Sequence, residues 1–101
     1  MKNDKKSLFF MAQKGDVAAY EKLIESYEKK IFSLVFAATG DRTEASELTQ
    51  DIFIKVYKEL RNEKSDSRLA MLIYKTTHKM LFAAPKSFQS ANMKEHGLNM
   101  I

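Results

Sequence analysis

The sequence predicts an all-α protein, a three- to four-helix antiparallel bundle. Three observations lead there. Only three Gly and one Pro interrupt 101 residues rich in Lys, Glu, Leu, Ala and Met, a composition that favours helices over strands. Apolar residues recur at three-and-four spacing over long stretches. The breaks between those stretches carry helix caps and stops and are short, which places successive helices side by side.

The first helix is short. Asn3 or Asp4 can cap it, Leu8, Phe9 and Ala12 form its apolar side, and Gly15 ends it in the left-handed conformation. Asp16 caps the second helix. There Val17, Tyr20, Leu23, Ile24, Tyr27, Ile31, Leu34, Val35 and Ala38 share one face over about six turns, until Gly40 closes it. Asp41 with Glu44 three residues on suits a capping box for a third helix running to about Asn62, with Ala45, Leu48, Ile52, Val56 and Leu60 on one face and Phe53 and Tyr57 beside them. Ser65, Asp66 and Ser67 then cap a fourth helix whose inward residues are Leu69, Leu72, Ile73, Thr76, Met80 and Leu81, and Pro85 ends it. The expected single core unites Leu23, Ile31, Leu34, Leu48, Ile52, Val56, Leu72, Ile73 and Met80.

At 45% apolar and 30% charged, the chain has the balance of one folded domain. We divide it into a helical domain over 1–84 and a linker or tail over 85–101, where a weak helix fits around Ser87 to Glu95. The absence of Cys removes disulfides and thiol chemistry and suits a reducing compartment. The apolar run Leu8 to Ala12 is too short for a secretory or membrane segment. A cytoplasmic protein without a membrane partner is expected.

Enzymatic readings find no support. The sequence has no Gly-rich phosphate loop, no Ser-His-Asp or Cys-His arrangement and no carboxylate pair set apart on an apolar face. His78 and His96 lie too far apart for one helix to bring both to a metal, which needs three or four converging ligands. No cofactor and no metal site are expected.

Charge is informative through its distribution. The net charge is +4, and the basic excess lies at the start and in the last third, where residues 65–101 hold five bases against two acids. The third helix is polarised, with Asp41, Glu44, Glu47 and Asp51 early and Lys55, Lys58, Arg61 and Lys64 late. Complementing the helix macrodipole explains much of this. It does not require Gln50 beside Glu47 and Asp51, an acceptor-rich patch suited to an Arg-bearing partner helix. On the fourth helix, Arg68, Met71, Tyr74, Lys75, His78, Lys79 and Phe82 lie opposite the apolar stripe. This basic row with aromatic interleaving suits single-stranded nucleic acid; taken alone, a solvated face with two amphipathic aromatics completing the core is the better explanation.

The order of motifs carries a resemblance. Ala12-Gln13-Lys14-Gly15-Asp16 followed by Ala19-Tyr20-Glu21-Lys22-Leu23, then Gly40-Asp41-Arg42, then Ala45-Ser46-Glu47-Leu48-Thr49-Gln50-Asp51-Ile52-Phe53, resembles region two of extracytoplasmic-function sigma factors of the sigma-70 family over about residues 8 to 83. The resemblance implies a transcription-initiation domain that docks on the clamp helices of core RNA polymerase through Glu47, Gln50 and Asp51, with Leu48 and Phe53 as packing residues. It also implies that the fourth helix melts and reads the minus-ten promoter element on the non-target strand. Ile73-Tyr74-Lys75 falls where the family usually has Leu-Tyr-Arg, so the DNA-facing set becomes Lys55, Lys58, Arg61, Arg68, Tyr74, Lys75, His78 and Lys79. Leu72 stands where the family typically carries Trp, and Lys79 where Asn is common. A module that binds polymerase or an anti-sigma factor without reading DNA is therefore the alternative. Past Pro85 nothing resembles the helix-turn-helix region four, so the expectation is a truncated chain, one half of a split factor partnered by a separate region-four subunit, or a degenerate paralogue.

Overall fold

A computed structural model describes residues 4–82, and within them the fold is four α-helices with two short 3-10 turns. The helices are α1 (Lys5–Gln13), α2 (Val17–Thr39), α3 (Arg42–Glu59) and α4 (Leu69–Phe82). The 3-10 turns Leu60–Asn62 and Asp66–Arg68 connect α3 to α4. The expected stop at Pro85, the weak helix near Ser87 and the domain boundary after residue 84 lie outside the described residues.

Local chemistry sets the ends of these helices. Asp4, Asp16 and Asp41 each sit in extended backbone, and their carboxylates accept from the amides of Ser7, Ala19 and Glu44 at 2.8, 3.0 and 2.9 Å. Each bond satisfies one of the amides that a helix start leaves without a partner. The capping box at α3 is only half formed: the Asp41 amide donates to Thr39 Oγ1 at 3.2 Å rather than to the Glu44 carboxylate. Gly40 ends α2 at φ 70°, a left-handed turn that a side chain would strain. The third helix is shorter than its apolar pattern suggests, because its last turn tightens into the 3-10 segment Leu60–Asn62.

The helices α2 and α3 form an antiparallel hairpin. Tyr20, early in α2, donates to the carbonyl of Phe53 late in α3, and at the other end Arg42 lies over the stacked rings of Phe32 and Phe36. Phe9, Ile31, Val35, Ile52, Val56, Leu60, Leu69 and Ile73 are the large side chains that solvent does not reach. Three expected core members differ. Leu34 is 46% exposed, whereas Leu48 and Met80 are half-buried against the core. The reason is geometric: over Ala19 to Ile24 the helix α2 buries residues on two flanks, but from Ile31 onward only Ile31 and Val35 are fully buried, with Phe32 packed beside them. Leu34 therefore falls at the open edge of a narrower contact. Val17, at the start of the same stripe, is exposed as well.

Candidate functional site

Glu47, Gln50 and Asp51 are all exposed on α3. Their spacing of three and four residues stacks them on one outer face. Ile54, four residues after Gln50, extends that face and is 53% exposed. In sequence it does not stand out, since a single apolar residue off the core stripe is ordinary. Beneath this ridge Leu48 is half-buried and Phe53 is buried, so both hold α3 in place rather than offering side chains to a flat docking partner. Lys58 follows Asp51 by seven residues and so continues the outer ridge of α3. Lys55 pairs with Glu59 at 3.4 Å, a solvent-exposed i,i+4 contact that contributes little.

The second surface is on α4. Tyr74, Lys75, His78 and Lys79 are exposed together, opposite buried Leu69, Leu72, Ile73 and Thr76. Buried Thr77 donates back to the Ile73 carbonyl at 2.8 Å, an i−4 bond that satisfies its hydroxyl within the helix. Arg68 lies in the 3-10 turn ahead of α4 and meets Glu63 at 3.4 Å. Arg61 is exposed in the preceding 3-10 turn. His78 and Phe82 pack edge to face at 4.6 Å. The fold also adds residues that sequence order hides. Tyr27 of α2 meets Tyr74, and the Lys5 ammonium of α1 lies 5.9 Å from the centre of the Tyr27 ring. Aromatic rings and cations from three helices thus converge where the sequence pointed to one.

The connection between α3 and α4 is held from α1. The Gln13 side-chain amide donates to the carbonyls of Leu60 and Glu63 at 2.9 and 2.8 Å. Burial, then the nearby Glu28 charge and Tyr57, push the Tyr20 phenol well above the usual tyrosine range. Its hydroxyl therefore stays protonated as the donor to Phe53. Among the described residues no group of three or more His, Cys, Asp or Glu is placed to hold a metal.

The bundle thus exposes one face rich in acceptors, on α3, and a second that is basic and aromatic, on α4. The family model for sigma-70 region 2 matches residues 23–81, more than half of the chain. The chain belongs to the sigma-70 region 2 family. Within the matched segment lie the whole outer ridge of α3 and the exposed face of α4 from its first residue to Leu81. The RNA polymerase sigma-H factor of Pseudomonas aeruginosa is 35% identical over 63 residues. That stretch is 62% of this chain and 33% of the relative, so the chain spans about a third of that protein's length. No solved structure matches.

Proposed function

We propose that this region-two chain acts in transcription initiation, docking on the clamp helices of core RNA polymerase through Glu47, Gln50, Asp51 and Ile54 and engaging the minus-ten element through α4. The observation that carries the reading is the separation of the two faces. Partner binding on α3 leaves Tyr74, Lys75, His78 and Lys79 free for DNA. The mechanism is binding rather than covalent chemistry. Arg side chains of a partner helix would pair with the α3 acceptors, and loss of a desolvated charge pair at an interface costs about 2–5 kcal/mol. On the other face, an extruded base stacks on Tyr74 while Lys75 and Lys79 reach phosphates. Leu72, at the position where Trp is typical, is buried, so base capture falls to Tyr74 and Tyr27. Arg61 and Arg68 flank this face as further phosphate contacts, whereas Lys55 and Lys58 lie with the α3 ridge.

A cytoplasmic site of action follows from a role in transcription; among the described residues no helix is long and apolar enough to cross a membrane. An anti-sigma factor and a separate region-four subunit are the further partners this reading allows. The deciding experiment is capture of core polymerase by the chain and by a Glu47→Lys/Asp51→Lys variant. Capture should be lost in the variant with its circular-dichroism spectrum and melting temperature unchanged. Undiminished capture by the folded variant refutes the docking assignment.

A further inference from the structure

The helix α1 reaches the exposed face of α4, although the two are far apart in sequence. The Lys5 ammonium stands 5.9 Å from the centre of the Tyr27 ring, and that ring meets Tyr74 with centroids 6.5 Å apart. Tyr27 is half-buried and Tyr74 is 40% exposed. A cation, a sheltered ring and an open ring thus follow one another from α1 across α2 to α4.

Helix stability does not account for Lys5. It and Lys6 stand in the first turn of α1, which holds no acid, whereas the macrodipole favours acids there. Among the described residues the ion pairs are Lys55 with Glu59 and Arg68 with Glu63, so no carboxylate of those residues neutralises Lys5. Its exposed ammonium is left to the Tyr27 ring and to solvent.

The position of Lys5 is nonetheless fixed. Asp4, beside it, caps the helix by accepting from the Ser7 amide at 2.8 Å. Phe9, one turn on, is fully buried, and at the far end the Gln13 amide holds the carbonyls of Leu60 and Glu63. The same helix therefore braces the connection that carries Arg61 and Arg68 and sets a cation beside the rings. A held cation next to stacking rings suits an unpaired nucleic-acid strand, whose bases stack on the rings while its phosphates meet the cations.

We propose that the strand-binding face continues from α4 over Tyr27 onto α1, with Lys5 taking a backbone phosphate of the unpaired strand whose base stacks on Tyr74. This rests on the DNA reading of α4 above. It adds the course of the strand, which crosses from α4 toward α1 rather than running along α4 alone.

The test is the affinity of the full chain, with core RNA polymerase present, for a forked minus-ten template over a range of salt concentrations. Removing one phosphate contact from a single strand takes about 0.7 off the logarithmic salt slope. Lys5→Gln leaves the core untouched, since Lys5 is exposed; it should flatten the slope by that amount and converge on the wild type as salt rises, while Lys5→Arg keeps the slope. Lys22→Gln removes an equal charge from the furrow of Glu21, Glu25 and Glu28 on α2 and should leave the slope as it is. If Lys5→Gln weakens binding equally at every salt concentration, Lys5 acts only by holding Tyr27, and the phosphate contact is overturned. It is overturned as well if Lys22→Gln flattens the slope as much, because net charge alone then explains the loss. Should Lys75→Ala flatten the slope and Lys5→Gln not, the α1 contact falls and the α4 reading stands. If neither changes it, both fall.

Discussion

The ring of Tyr27 on α2 meets the ring of Tyr74 on α4 nearly edge to face, with centroids 6.5 Å apart and planes at 75°. The proposed DNA face therefore belongs to the bundle and not to α4 alone. A base stacked on an aromatic contributes about 1–3 kcal/mol, so Tyr74→Ala should weaken binding of a forked minus-ten template to the polymerase-bound chain while closed duplex is unaffected. Because an aromatic pair is coupled by about 0.5–1.5 kcal/mol, Tyr27→Ala combined with Tyr74→Ala should cost less than the sum of the two. Strict additivity in that cycle would mean that the rings act separately.

Lys75 should act differently from Tyr74. A phosphate contact on a single strand contributes about 0.7 to the logarithmic salt slope. Titrating the same template from low to high salt should show Lys75→Ala flattening the slope while the tyrosine variants keep it. An unchanged slope would place Lys75 away from the backbone.

The stability of the bundle should be uneven along α2. Ile31 is fully buried, and Ile31→Ala should cost about 2–5 kcal/mol. Three residues on, Leu34 stands at the open edge, and Leu34→Ala should change stability by no more than about 0.5 kcal/mol. Chemical denaturation followed by circular dichroism separates the two, and a large loss for Leu34→Ala would show that a further layer covers the hairpin tip.

That contrast marks what sequence alone could deliver. Caps are legible because an Asp or Gly acts within three or four residues of itself: Asp4, Asp16, Asp41, Gly15 and Gly40 all sit at the helix ends their chemistry suggested. The outer ridge of Glu47, Gln50 and Asp51 is legible for the same reason, since helical spacing alone puts them on one face. Leu34 was not, because apolar spacing gives the direction of a face but not how many neighbouring helices cover it. The meeting of Lys5, Tyr27 and Tyr74 depends on how distant helices cross, which no local pattern encodes.

Alkaline pH should expose the role of Tyr20. Burial raises its phenol above the ordinary value, so the folded state prefers the protonated form and the unfolded state ionises first. Its contribution is therefore full below about pH 10, the usual tyrosine value, and is lost as pH rises beyond it. Tyr20→Phe removes the 2.6 Å bond to the Phe53 carbonyl and should cost about 1 kcal/mol at neutral pH. Above pH 10 the wild type should lose stability more steeply than Tyr20→Phe, and parallel curves would mean that the phenol ionises equally in both states.

Gln13 should prove sensitive to the sign of its hydrogen bonding rather than to its size. Its amide nitrogen reaches two carbonyl oxygens at once, those of Leu60 and Glu63, and so ties the end of α1 to the turn that launches α4 some 47 to 50 residues later. Only a donor can do this, because both partners are acceptors. Gln13→Ala forfeits the two bonds and leaves the carbonyls to water, at about 1–3 kcal/mol. Gln13→Glu keeps the shape but turns a charged acceptor toward two acceptors, so near neutral pH it should be at least as destabilising as Gln13→Ala. Lowering the pH to 4 or below protonates the carboxyl, whose ordinary value is about 4.3, and restores one donor, so Gln13→Glu should recover relative to Gln13→Ala there. Amide hydrogen exchange over residues 60–68 reads the effect directly, and faster exchange there in Gln13→Glu at pH 7 than at pH 4, after correction for the intrinsic rates, is the expected result. Equal stability of Gln13→Glu and the wild type at pH 7 would show that the two carbonyls do not depend on Gln13.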